Sequence, residues 1–185
     1  RFISRLGEKA LPLYRLLRRT EHFEWTDAAT AGLEEIKAIL ATNPVLAAPN
    51  IGEPMLLYIV ATHQVVSAVL VVERETDGHK FLVQKLVYYV STVLTPCKSR
   101  YPHYQKIAYA VFMASRKLRH NFQECLITVA SGVPLNDIIN HRDATSRLAK
   151  WAIELLPFDI IYKPQGAIKS QVLADFVAEW TESEL

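Results

Sequence analysis

Basic side chains, which bind phosphate, are concentrated in two stretches of this 185-residue chain. Residues 1–21 carry six Lys or Arg and two Glu, a net charge of +4. Residues 98–122 have a formal charge of +6 and contain no Asp or Glu: Lys98, Arg100, Lys106, Arg116, Lys117 and Arg119. Such charge is typical either of a solvated helix surface or of a face that contacts nucleic-acid phosphates, and charge alone leaves both interpretations open.

Other reactive side chains are dispersed along the sequence. No two of the six histidines stand four residues apart, and no Ser or Cys is placed beside one as a nucleophile, so each is more typical of a surface residue. Cys97 and Cys125 lack zinc-ligand spacing and are too few for a disulfide framework, which favours free thiols in a reducing compartment. The six glycines are scattered singly, so the sequence has no glycine-rich phosphate loop.

Composition limits the class of protein. Half of the residues are hydrophobic, which is ample for one packed domain with a small appendage. The net charge of +2 is too small to indicate a polyanionic partner by itself. The longest apolar run, residues 65–72, is far shorter than the roughly 20 residues of a membrane span, so we expect no membrane partner. Because the chain opens on Arg1 rather than Met, we expect it to be part of a longer protein.

The hydrophobic periodicity predicts helices first and strands second. Residues 1–19 form one or two short helices broken near Pro12, and Thr26 or Asp27 caps a helix over 28–40. Pro and Gly crowd residues 49–54, which predicts a boundary between domains 1–52 and 53–185. Strands are predicted over 55–61, 65–73, 81–91, 126–130 and 158–162.

The long basic stretch over 98–122 is predicted to be the longest buried helix. Ile107, Val111, Ala114 and Leu118 recur at helical spacing and give it an apolar face. Shorter helices are predicted over 133–140, 145–155 and 170–180. This order predicts an α/β fold, with a mixed five-stranded sheet flanked by helices and a short helical appendage at the N-terminus.

The order of elements resembles the ribonuclease H fold. Five segments, in this order, resemble the thumb end and ribonuclease H-like domain of reverse transcriptases from gypsy-type LTR retrotransposons. They are RFISRLGEKALPLYRLLRR, FEWTDAATAGLEEIKAILATNPVLAAP, LLYIVATHQVVSAVL, LVYYVSTVLTPCKSRYPHYQKIAYAVF and RLAKWAIELLPFDIIYKPQGAIKSQVLADF. The closing KSQVLADFVAEWTE is similar to plant elements that carry a second ribonuclease H after a degenerate first one.

The resemblance implies where metal ligands would stand. Active members of this family cut the RNA strand of a hybrid with two Mg²⁺ ions held by carboxylates. Val60, Ile107 and Ser131 align with three of these carboxylates, and only the fourth is kept, as Asp175. A lone acid near a helix start is more typical of a solvated side chain than of a catalyst. We therefore expect no catalytic residue, metal or cofactor in this segment.

Three hypotheses follow, in order of preference. The first is a degenerate connection segment that grips an RNA/DNA hybrid or duplex and tethers the polymerase to a downstream ribonuclease H in one polyprotein. The second is an active nuclease that uses Asp175 with displaced acids such as Asp137, Asp143 or Asp159. The third is a decayed or host-adopted protein-interaction domain.

The first hypothesis assigns phosphate contacts to residues of both basic stretches. They are Arg15, Arg18, Arg19, Lys98, Arg100, Lys106, Arg116 and Lys117. The parent would be an RNA-directed DNA polymerase, although this segment lacks the palm that holds the polymerase metals. We expect an intracellular location, in a cytoplasmic particle or the nucleus.

Overall fold

The computed structural model describes residues 3–17, 23–42, 45–78, 82–140 and 146–165. The predicted helix over 170–180, with Asp175, lies outside them, as do Arg18, Arg19 and Asp143. The described elements are α1 (Leu6–Lys9), α2 (Leu11–Leu16), α3 (Asp27–Ala41), β1 (Met55–Ala61), β2 (Val65–Arg74), β3 (Val83–Val93), α4 (Pro96–Ser99), α5 (His103–Lys117), α6 (Arg119–Glu124), β4 (Ile127–Ser131), α7 (Leu135–Asn140), α8 (Ser146–Leu155) and β5 (Ile160–Pro164).

The five described strands form one mixed sheet in the order β3-β2-β1-β4-β5. β1, β2 and β3 pair antiparallel, whereas β4 runs parallel to both β1 and β5. The register pairs Val60 with Ser67 across β1 and β2, and Tyr58 with Ala130 across β1 and β4. The predicted mixed five-stranded sheet flanked by helices is therefore confirmed.

The sheet is buried on both faces. Residues 65–72 of β2 are each at most 2% exposed, so this strand shows none of the alternation of a half-buried strand. Alternate side chains enter two separate apolar clusters. One cluster, on what we call the front face, includes Leu70 and Ile107. The other, on the back face, includes Tyr58, Val65 and Val69.

The front face carries α5, but the predicted single helix over 98–122 is three helices. Pro102 lacks a backbone N–H and stands at the N-cap of α5, while Leu118 leaves helical geometry with φ −113° and ψ 33°. This turn redirects the chain into α6, where Phe122 is 1% exposed. The Phe122 ring packs edge-on against Phe158, with ring centroids 5.6 Å apart. α5 therefore ends at Leu118, where the turn into α6 places Phe122 in the core.

The first helix, α1, contacts the back face. The Gly7 backbone N–H donates to Ser91 Oγ at 3.0 Å, and Ser91 Oγ lies 2.9 Å from Ser67 Oγ. Ile3 and Ala10, on either side of this contact, are 7% and 6% exposed. Residues from the two predicted domains therefore share one packed interface.

An ion pair fastens the 45–53 segment to the end of β2. Arg74 donates from Nε to Glu53 Oε1 and from a terminal nitrogen to Glu53 Oε2, both at 2.7 Å. The same guanidinium donates to the Ala48 carbonyl at 2.7 Å. The hydrogen bonds from Arg74, with a further one from the Asn50 N–H, lower the pKa of Glu53 to about 2.

Among the described residues, the structure contains no helix that is both long and apolar enough to cross a bilayer.

The contact at Gly7 predicts that Gly7→Ala is destabilising. A Cβ there would lie 2.7 Å from Ser91 Oγ and 3.2 Å from Val65 Cγ1, which is closer than packed atoms normally approach. We expect a loss of about 1–3 kcal/mol in the free energy of unfolding, measured with urea. The loss should shrink in a Ser91→Ala background, and an equal loss in both backgrounds would contradict the contact. Gly132→Ala is the control, because its Cβ would meet only Gln165 Oε1 at 3.7 Å.

The Arg74–Glu53 pair predicts a pH-dependent contribution to stability. The pKa of Glu53 is about 2 in the fold and 4.5 when unperturbed, so the stabilisation is complete above pH 4.5 and lost as the pH falls towards 2. Arg74→Met should therefore lower the urea midpoint at pH 7 and lower it much less near the pH at which Glu53 is protonated. Lys37→Met removes the exposed pair with Glu34 and should change little at either pH. A deficit of Arg74→Met that is constant with pH would refute this assignment.

Candidate functional site

The positions that align with metal ligands lie around one edge of the sheet. β1 and β4 are adjacent and parallel, so their carboxyl ends meet there. Tyr58 of β1 pairs with Ala130 of β4. Val60 comes two residues after Tyr58 and Ser131 one residue after Ala130, so both lie near the carboxyl ends of their strands. The start of α5 reaches the same place, since Lys106 Nζ donates to the Thr62 and His63 carbonyls at 3.3 and 3.2 Å. We call this region the β1–β4 edge.

The three aligned side chains are part of the packing at this edge. Val60 packs with the back-face cluster. Ile107 is 4% exposed and belongs to the front-face cluster. Ser131 is 3% exposed, and its hydroxyl donates to the Val133 carbonyl at 2.6 Å and accepts from the Val133 N–H at 3.2 Å. Val60 and Ile107 have hydrocarbon side chains, and the Ser131 hydroxyl is hydrogen-bonded within its own loop.

A divalent metal does not fit the described part of this edge. Mg²⁺ requires oxygen ligands and takes at least one or two carboxylates in protein sites. Within the described ranges, no group of three His, Cys, Asp or Glu side chains could hold a metal ion. Val60 and Ile107 offer no ligand atom, and the Ser131 oxygen already has two hydrogen-bond partners.

The displaced acids lie in different places. Asp137 is exposed in the first turn of α7, a few residues after β4 and therefore near the β1–β4 edge. Asp159 precedes β5, and its carbonyl accepts from the N–H of Ile127 at the start of β4. Since β4 and β5 are parallel, Asp159 stands at the opposite edge of the sheet. It is therefore not available to join a site with Asp137.

A cleft of about 390 Å³ opens where β4 and β5 end. Its lining runs from Ser131 to Asn136 and from Tyr162 to Pro164. Burial raises the pKa of Tyr162 to about 12, which keeps its hydroxyl protonated at neutral pH. Lys163 supplies the one cationic side chain among these lining residues. The cleft can offer hydrogen bonds, but its lining provides no acid–base pair.

The residues predicted to contact phosphate differ in their solvent exposure and in the hydrogen bonds they make within the fold. Arg15 and Arg100 are exposed, on α2 and directly after α4. Arg116 is exposed near the end of α5, where its guanidinium lies 5.3 Å from the Phe112 ring centre. Lys117 is exposed but donates to the Ser91 carbonyl at 3.0 Å and to Thr92 Oγ1 at 2.7 Å. Desolvation lowers the pKa of Lys117.

Lys106 requires a correction. It is 7% exposed, and its ammonium is directed at the two carbonyls at the end of β1. Burial lowers its pKa. The physical reason is that α5 is buried all round between Gln105 and Val111, so a polar residue there has no solvent-facing side. We therefore withdraw Lys106 from the predicted phosphate contacts.

Arg147 is a basic residue that the sequence analysis did not select. It is exposed on α8, its guanidinium lies 4.2 Å from the Tyr101 ring centre, and it donates to Gln105 Oε1 at 3.3 Å. The available signal was the spacing of Arg147 and Trp151, four residues apart on one helix face. The Tyr101 ring that Arg147 contacts comes from a distant part of the chain.

Comparison with known proteins supports this architecture. The Tf2-3 transposon polyprotein of Schizosaccharomyces pombe is 26% identical over 180 residues, which cover 90% of this chain and 13% of that protein. The chain thus spans about an eighth of the length of the curated relatives it matches.

Two solved structures are similar over 91% of the chain. One is the foamy viral protease-reverse transcriptase dRH in complex with double-stranded DNA, with a TM-score of 0.70, 19% identity and 30% of that chain covered. The other is the foamy viral protease-reverse transcriptase in complex with an RNA/DNA hybrid, with a TM-score of 0.69, 20% identity and 23% covered. At this identity the likeness shows the fold alone.

The family model for the RNase H-like domain found in reverse transcriptase matches residues 25–129, which is more than half of the chain. The matched range contains β1 to β3, α5 and the first three residues of β4. The chain therefore belongs to the family of RNase H-like domains found in reverse transcriptases.

Proposed function

We propose that this chain is a catalytically degenerate RNase H-like segment of a retrotransposon reverse transcriptase polyprotein, of the gypsy type found in plants. It supports binding of an RNA/DNA hybrid or duplex and connects the polymerase to a downstream ribonuclease H. The observation that carries the proposal is the replacement of three aligned carboxylates by Val60, Ile107 and Ser131.

The packing of these side chains supports degeneracy. Ile107 lies in the front-face cluster, where an ionised carboxylate would lose its hydration without gaining a partner. Ser131 uses its hydroxyl to hold the loop after β4. Both side chains contribute to the fold in ways that a metal-binding carboxylate would not.

Exposed cations support a role in binding nucleic acid. Arg15, Arg100 and Arg116 present guanidinium groups to solvent, and guanidinium pairs well with phosphate. Two of the solved structures that share this fold are complexes, one with double-stranded DNA and one with an RNA/DNA hybrid. Contacts of this kind fix the position of a duplex without reading its sequence. The proposed function needs no cofactor.

The contact between α1 and the back face supports a tethering role. Gly7 approaches Ser91 and Val65 closely enough that α1 is fixed to the sheet. Upstream polymerase domains would then have a set orientation relative to the RNase H-like domain. The partners are the rest of the polyprotein and the nucleic acid, in a cytoplasmic particle or the nucleus.

The proposal predicts hybrid binding without cleavage. We would titrate a labelled RNA/DNA hybrid with the whole chain at two salt concentrations, with Mg²⁺ or Mn²⁺ present, and run the products on a denaturing gel. If four cations contact phosphates, affinity should fall roughly 100-fold between about 50 and 200 mM salt, and the RNA should stay intact.

Two other outcomes would contradict the proposal. Metal-dependent cuts that disappear in Asp175→Asn would establish a rearranged nuclease site. Failure to bind the hybrid at low salt would instead favour a protein-interaction domain.

The burial of Lys106 predicts that it acts in folding and not in binding. Lys106→Met should lower the free energy of unfolding by about 1–3 kcal/mol, because two carbonyls lose their donor. It should leave the salt dependence of hybrid binding unchanged. Arg100→Met is the matched comparison, since it removes an exposed cation and should weaken binding while changing stability by less than about 0.5 kcal/mol. A reduced salt dependence in Lys106→Met, with unchanged stability, would restore Lys106 to the binding surface.

A further inference from the structure

Four aromatic side chains form a continuous wall between α5 and α8. The Trp151 ring centre lies 6.2 Å from Tyr101, 5.6 Å from Tyr109 and 5.8 Å from Phe112. Trp151 and Tyr109 are each 8% exposed and Tyr101 and Phe112 are half-buried, so the centre of the wall is closed to solvent. Its faces are therefore more available to neighbouring side chains than to a stacking ligand.

Three cations lie against this wall. Arg147 lies 4.2 Å from the Tyr101 ring centre, Lys98 lies 4.4 Å from that of Tyr109, and Arg116 lies 5.3 Å from that of Phe112. These distances are within the range of cation–π attraction. We call the three cations and the four rings the α5–α8 strip.

The two arginines of the strip contact rings and are still accessible to solvent. The Arg116 side chain is 69% exposed, and Arg147 is also exposed. A ring contact engages the flat face of a guanidinium and leaves N–H groups at its edge for a phosphate. Glu154 lies 3.8 Å from Arg116, but both side chains are more than half exposed, so this pair neutralises little.

The strip runs away from the β1–β4 edge. Arg147 donates to Gln105, which is next to the edge-binding Lys106, while Arg116 lies eleven residues further along α5. At about 1.5 Å per residue, the strip spans roughly 16 Å. This is about five nucleotide steps at 3.4 Å per step along one strand. Arg119 lines a cleft with Arg116 at the far end and continues the positive surface.

We propose that the α5–α8 strip is a phosphate-binding track for the backbone of the hybrid or duplex, with Arg147 and Arg116 as its two anchoring contacts. This inference rests on the proposed function and deepens it, because it identifies the surface used. Cations spaced along one surface, from α4, α5 and α8, suit a regularly charged backbone better than a compact acidic group. Aromatic contacts fix their positions before the ligand arrives, which reduces the entropy lost on binding.

The test compares two double variants that remove the same charge. Arg116→Gln with Arg147→Gln alters the strip, whereas Lys37→Gln with Lys85→Gln removes two exposed cations on α3 and β3. Hybrid affinity is measured across a salt series with the whole chain, and thermal unfolding verifies that each variant is folded. The strip variant should reduce the slope of log K against log salt by about 1.8, at about 0.9 per phosphate contact, and the control should not. Arg147→Lys keeps the positive charge but cannot stack on Tyr101 as a planar guanidinium does. The slope of log K against log salt should therefore stay close to that of the unmodified chain.

The outcomes separate the strip from the proposed function. If the unmodified chain binds and both double variants bind equally well, the strip is overturned while the proposed function stands. If the unmodified chain does not bind at low salt, the proposed function fails and the strip fails with it. Poly-L-glutamate that competes as well as the hybrid at equal charge would overturn the nucleic-acid assignment in favour of an acidic protein partner.

Discussion

The double-sided burial of β2 is the constraint on which the rest of the structure depends. Residues 65–72 are all but inaccessible to water, so helices must cover both faces of the sheet. α5 covers the front, and α1 reaches the back through Gly7, where no side chain larger than hydrogen fits without displacement. α1 is consequently part of the sheet's packing, although the sequence predicts that it belongs to a different domain.

The same constraint explains why hydrocarbon side chains suit the β1–β4 edge at positions where the resemblance places carboxylates. Several carboxylates at one edge repel each other and are held together only by metal ions, so they destabilise the metal-free protein. Val60 and Ile107 instead extend the two apolar clusters to the end of β1, and Ser131 satisfies its own loop. If the segment no longer cuts RNA, these replacements favour stability without loss of function.

Local patterns predicted the elements better than they predicted side-chain roles. The prediction for β1 matches residue for residue, and Thr26 accepts the Ala29 N–H as an N-cap, because both depend on neighbouring residues. The break at Leu118 was missed because it depends on the contact between Phe122 and Phe158, which are far apart in sequence. The role of Lys106 was missed for a similar reason, since its two carbonyl partners belong to the turn after β1.

The described Lys and Arg residues of the 98–122 stretch differ in what their side chains contact, which a count of charges does not show. Lys106 and Lys117 donate to backbone carbonyls, which suits a compact ammonium with three N–H groups, and desolvation lowers the pKa of both. Lys98 donates to Tyr109 Oη at 2.8 Å, so part of its ammonium is used inside the fold. The Arg116 guanidinium lies against the Phe112 ring, and most of its side chain is exposed to solvent. The N–H groups open to a phosphate therefore come mainly from the arginines, because a guanidinium can pack on an aromatic face and remain hydrated at its edge.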